Sequence, residues 1–146
     1  FMRATAKIFI NLFIYIAIVG AIVYGLPRFL SWSLKTPYPM AAITSGSMWP
    51  ALEEGDLVFI KGELKKEDLK EGDVVVYRNE KGGSFTIHRI VKLSENTFTT
   101  KGDANFQEDK PTPYDRLIGK ALTLSSKPLH IPYLGSITVI ANNLKQ

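Results

Sequence analysis

The chain has 146 residues, 45% of them hydrophobic, a formal net charge of +4, two histidines and no cysteine. Without cysteine there are no disulfides, no thiolate catalysis and no cysteine-ligated zinc. Two histidines are too few for a histidine-rich metal site, so neither a metal nor another cofactor is expected. The basic residues are scattered among acidic ones, with no basic stripe interleaved with aromatics, so nucleic acid is not an expected partner.

Ile8 to Pro27 carries no charge and one strongly polar side chain, Asn11. About twenty residues at 1.5 Å rise cover roughly 30 Å, the hydrocarbon thickness of a bilayer. Three readings compete. A cleaved signal peptide has a shorter apolar stretch and a small-x-small site, whereas Gly25-Leu26-Pro27-Arg28 follows here. A buried core helix would be apolar all round in a chain with little else to surround it. An uncleaved transmembrane anchor over residues 1–28 fits best, with Tyr24, Phe29 and Trp32 where an interfacial aromatic belt would lie. The lipid bilayer is therefore an expected partner. Arg3 and Lys7 on one flank balance Arg28 and Lys35 on the other, so flanking charge leaves the orientation open.

Residues 29–39 read as a short connector stiffened by Pro37 and Pro39. From 40 to 128 the signals are mostly for strands. Leu57–Ile60 and Val74–Tyr77 are short apolar runs, each preceded by a Gly-Asp turn. Lys65 to Lys70 makes one helical turn at most. Asn79 to Gly83 reads as a hairpin turn before the alternating run Ser84 to Lys92. Thr97–Thr100 and Leu117–Leu124 supply further strands. The expected fold is mainly β: a small antiparallel domain of about ninety residues behind one N-terminal transmembrane helix. Residues 129–146 read as a tail, either a terminal strand or an amphipathic segment at the membrane surface.

The segment Ile43-Thr44-Ser45-Gly46-Ser47-Met48-Trp49-Pro50 is a Gly-flanked bend. Ser-Gly-Ser is a common turn composition, and a serine on such a bend is also where an exposed nucleophile can sit. His88 lies in a strand-like run. It reads as a core residue bonded to a backbone carbonyl, or as a general base whose second ring nitrogen needs an acid. Asp103 and Asp109 follow the next strand, and a hairpin would return that loop to His88. Each also reads as an ordinary turn or solvated residue. Lys92 and Lys101 are rival bases, though neither has a clearly apolar setting.

Taken together, three boxes resemble those of the type I signal peptidases, membrane-anchored serine proteases that cut leader sequences from exported proteins. Ser45-Gly46-Ser47-Met48-Trp49-Pro50, with Gly55-Asp56-Leu57-Val58 following, looks like the nucleophile box. Thr86-Ile87-His88-Arg89-Ile90 looks like the second, and Lys101-Gly102-Asp103-Ala104-Asn105 through Asp109 like the third. The family has a serine-lysine branch and an archaeal and endoplasmic-reticulum branch with histidine in place of that lysine. His88 makes this chain similar to the second, and its small size suggests an archaeal member.

The resemblance implies Ser47 as nucleophile, His88 as base, Asp109 as orienting acid and Asp103 as a supporting acid, the ranking of the two aspartates staying open. It implies an oxyanion hole from the Ser47 N–H and the Ser45 hydroxyl, and substrate contacts from Thr44, Met48 and Ile87. Substrate would bind extended between the segments leading into Ser47 and His88, with cleavage after small-x-small sites. The N-terminus would face the cytosol and the β domain the extracytoplasmic or lumenal side. Preproteins bearing signal peptides, and complex subunits, are the implied partners. Trp49 is bulkier than expected at its place in the box. With Met48 and Pro39-Met40 it is expected to dip into the membrane interface. The competing class is a membrane-tethered β module that binds extended peptides or partner proteins without catalysis.

Overall fold

The computed structural model describes residues 2–80 and 83–137, in two units, 1–33 and 34–146. The first unit is helical: α1 (Met2–Gly20), a π-helical turn (Ala21–Gly25) and α2 (Leu26–Leu34). Pro27 has no N–H to donate and would break an ordinary helical ladder. The wider turn just before it absorbs the mismatch, with the Leu26 N–H reaching back to the Ala21 carbonyl. The helix therefore runs on to Leu34, beyond the expected start of the connector, which contracts to Lys35–Pro39. Within Thr5–Leu34 an 18-residue window reaches a mean hydropathy of 2.3 and is not buried by protein, so the helix is long and apolar enough to cross a membrane. A helix that is apolar all round and unburied by protein needs lipid as its solvent.

The second unit is a curved antiparallel β domain. Its main sheet runs β1 (Met40–Ala42), β2 (Leu57–Lys61), β7 (Leu117–Ala121), β3 (Val74–Arg78), β4 (Phe85–Leu93), β5 (Thr97–Lys101) and β6 (Thr112–Pro113). A small hairpin joins β8 (Thr123–Leu124) to β9 (Lys127–Pro128), and β10 (His130–Ile131) pairs with β2. The run expected as one strand from Leu117 to Leu124 is thus divided: Leu122 still continues the β2–β7 register, its N–H donating to the Phe59 carbonyl at 2.8 Å, and from Thr123 the chain turns into the β8–β9 hairpin. The first residues of the expected tail form β10, while 138–146 lie outside the described residues.

Two equivalent turns open β2 and β3. Gly55 (φ 93) and Gly72 (φ 92) take the left-handed conformation that a side chain resists. The buried aspartate after each one accepts a backbone N–H from three residues earlier: Asp56 from Glu53 at 2.9 Å, Asp73 from Lys70 at 3.0 Å. β3 is central and is buried on both faces from Val74 to Tyr77, which explains its unbroken apolar sequence. One core packs Ile43, Met48, Leu52, Val58, Val74 and Ala121. The other packs Leu69, Val75, Tyr77, Ile90 and Phe98.

Candidate active site

The bend after β1 turns within a few residues. Ser45 is extended (φ −152, ψ 161) and Gly46–Met48 form a single 3-10 turn. The Met48 side chain is buried in the first core and fastens that turn to the domain. Ser47, beside it, is half-buried.

His88 comes from β4, opposite Val75 of the second core, and is buried. Its Nε2 lies 3.2 Å from Ser47 Oγ, and its Nδ1 lies 2.6 Å from Asp109 Oδ2. An ionised carboxylate only accepts, so in the neutral ring Nδ1 carries the proton and Nε2 is left to accept from the serine hydroxyl. Asp109 returns to this point because its N–H donates to the Thr100 carbonyl at 2.8 Å. Thr100 itself sits opposite Ile90 in the β4–β5 hairpin. The Ser45 hydroxyl lies 3.2 Å from Ser47 Oγ.

A cleft of about 830 Å³ opens beside these groups, lined by Met40–Ser45 on one wall and Ser84–His88 on the other. Both walls present strand edges. β1 ends the sheet path and, among the described residues, pairs with β2 alone. The β4–β5 register begins at Arg89↔Lys101, so among the described residues Phe85–His88 has no strand on that edge. Two open edges across one cleft form a template for an added strand.

Comparison with known proteins leads to one family. The family described as Peptidase S24-like matches residues 21–121. The chain belongs to the S24-like peptidase family. It is 34% identical over 119 residues to the signal peptidase complex catalytic subunit sec11 of Sclerotinia sclerotiorum, covering 76% of this chain and 68% of that protein. It is 30% identical over 112 residues to the signal peptidase complex catalytic subunit SEC11C of Homo sapiens, covering 72% of this chain. The match spans 58% of the length of that human relative.

In this member of the S24-like family, three donors converge on Asp109 Oδ2. Besides His88, Thr100 Oγ1 donates at 2.7 Å and the Tyr77 hydroxyl at 3.2 Å. Tyr77 and Thr100 were not identified from the sequence. Each sits in an apolar or threonine-rich strand that reads as core, and only the hairpin register turns them toward Asp109. Burial, the largest cause, pushes the Tyr77 phenol up to about 12, so it stays protonated and able to donate across the neutral range.

The two aspartates have different partners. Asp103 takes both its hydrogen bonds from Arg89, at 2.8 Å from Nε and 2.6 Å from Nη2, and Arg89 Nη1 donates to the Gly72 carbonyl. Those bonds hold the Arg89 guanidinium all the more firmly protonated. Asp103 thus ties its loop to β4 rather than meeting His88. Thr44 is exposed and Ile87 half-buried, both lining the cleft. Met48 lines the cleft floor from within the core, so the expected dip of its side chain into the membrane interface is corrected: the first core already holds it. Trp49 does remain exposed. Neither Lys92 nor Lys101 lines the cleft. His130 stands apart, within 3.6 Å of Asp56. Among the described residues no group of three His, Asp or Glu could hold a metal ion.

Gly102 braces the Ser47 backbone. A Cβ there would lie 2.6 Å from the Ser47 carbonyl oxygen, to which the Ala104 N–H donates at 2.9 Å. Gly102→Ala is expected to displace Ser47 and to lower kcat/KM about 100-fold, the scale of a 1 Å misplacement. Steady-state kinetics on a peptide, with circular dichroism as a control for folding, checks this. An unchanged rate would mean that the loop yields instead of the serine.

Proposed function

We propose that the chain is a membrane-anchored serine endopeptidase that removes signal peptides from exported preproteins after small-x-small sites. The observation that carries this reading is the continuous contact chain from Ser47 through His88 to Asp109, at 3.2 Å and 2.6 Å. Ser47 is the nucleophile. As its oxygen attacks the peptide carbonyl, His88 Nε2 takes the hydroxyl proton and later delivers it to the leaving amine. Asp109 keeps Nδ1 protonated and stabilises the imidazolium that forms. The Ser47 N–H and the Ser45 hydroxyl are the donors for the oxyanion. Water then enters, and His88 repeats the cycle to release the cleaved leader.

Substrate lies extended between β1 and the open edge of Phe85–His88, its main chain supplying most of the recognition. Cleft walls with Ala41, Ala42, Ile43 and Ile87 suit small side chains beside the cut. The N-terminal helix keeps the protease at the bilayer in which the leader's apolar part is embedded, raising the effective concentration of each for the other. By this reading the N-terminus is cytosolic and the β domain is extracytoplasmic or lumenal. A histidine base aligns the chain with the archaeal and endoplasmic-reticulum branch, with an archaeal cell membrane the favoured setting. The SEC11 relatives are named as subunits of a complex, which makes partner subunits part of the proposal.

The test is cleavage of a preprotein by the purified chain in detergent, with the cut located by mass spectrometry. Cutting after a small-x-small site by the native chain, and none by Ser47→Ala, is the expected result. A folded native chain that cuts nothing, alone or in its native membranes, would sink the proposal in favour of a peptide-binding module.

A further inference from the structure

Both walls of the cleft run toward the proposed catalytic groups: β1 leads through Ile43 and Thr44 to Ser45, and β4 leads from Phe85 to His88. At the opposite end the walls meet. The Tyr38 and Phe85 rings stack edge to face across the cleft, with centroids 4.8 Å apart at 64°, and both line it. Neither ring is a core residue; they stay 38% and 45% exposed. Yet their backbones are fixed. Tyr38 stands between Pro37 and Pro39, its N–H donates to Thr36 Oγ1 at 3.2 Å, and the Pro39 carbonyl accepts from the Ile60 N–H at 2.9 Å. Phe85 is held opposite Arg78 in the β3–β4 hairpin.

The span between this pair and the reacting groups is short. Three residue steps separate Phe85 from His88, about 10 Å of extended chain and room for roughly three substrate residues. A longer substrate has to cross the rings. We propose that Tyr38 and Phe85 form an aromatic gate that ends the peptide cleft about three residues before the scissile bond and supplies a further subsite for an apolar side chain. This rests on the peptidase reading above. Exposed rings held by rigid backbone offer an aliphatic side chain their faces, whereas a charged side chain loses water there for no partner.

The experiment uses the full chain in detergent and peptides sharing one small-x-small core, with either three residues before the cut or a fourth that is Leu or Asp. Native protein is expected to cleave the Leu peptide with kcat/KM about tenfold above the Asp peptide. Tyr38→Ala and Phe85→Ala are each expected to erase that preference, and Tyr38→Ala to leave the three-residue peptide within about twofold, which also certifies its folding. Equal cleavage of the Leu and Asp peptides by native protein would overturn the gate, as would a loss in both variants that is the same for every peptide. Binding of the same labelled peptides to Ser47→Ala, read by fluorescence anisotropy, separates the two proposals. Leu-over-Asp discrimination in binding supports the gate even if native chain cuts nothing, and cleavage without discrimination sinks the gate alone.

Discussion

Replacing His88 with alanine is expected to lower kcat/KM by about 10⁴-fold or more while KM for a preprotein changes little. The side chain is buried in a structured strand, so its removal takes away the acceptor for the Ser47 proton without touching the cleft's backbone edges. With no base at 3.2 Å, the hydroxyl attacks only as rarely as an unassisted alcohol. The double variant Ser47→Ala/His88→Ala should be no worse than either single one, because residues that act as one unit do not add. Substantial activity in His88→Ala would point to a different base. The lysines weighed from the sequence, Lys92 and Lys101, are outside the cleft lining, so such a result would require the cleft to rearrange.

The second large effect separates the two aspartates. Asp109→Asn should lower kcat about 10⁴-fold, because an amide facing Nδ1 can donate and so favours the wrong ring tautomer. Thr100 and Tyr77 donate to that same oxygen, so the amide NH2 that faces Nδ1 also leaves their hydroxyls without their acceptor. Asp103→Asn should instead keep kcat/KM within about tenfold and lower stability by about 1–3 kcal/mol, since it breaks the paired bonds to a partly buried Arg89. Steady-state kinetics and urea unfolding on the two variants decide it. Equal losses of activity would mean that Asp103 acts on the reaction through the loop that holds the Ser47 carbonyl.

Much of the fold was open to a reading of the chain. The strands at Leu57, Val74, Phe85 and Thr97 follow from short β-branched runs punctuated by Gly-Asp turns, and the structure bears out the mainly β class behind one apolar helix. The end of that helix was not open to it. Pro27 reads as a stop, and only a change of hydrogen-bond pattern over Ala21–Gly25 lets the helix continue. The division after Leu122 was hidden for a similar reason, since nothing local marks where the chain stops following β2 and turns into the β8–β9 hairpin.

The sequence by itself determined the residue types available for chemistry: a serine on a Gly bend, one histidine in a strand, two aspartates in a loop, and an apolar helix. These are local properties, set by composition and spacing. Which of them meet was decided by tertiary structure alone. Ser47 and His88 are 41 residues apart, and His88 and Asp109 are 21 apart. A strand slip of one residue would turn His88 to the opposite face. The β3–β4 and β4–β5 registers fix that face, bring Thr100 and Tyr77 under Asp109, and send Asp103 to Arg89 instead. Those registers are set by packing two cores on either side of β3, a sum over many long-range contacts that no single motif carries.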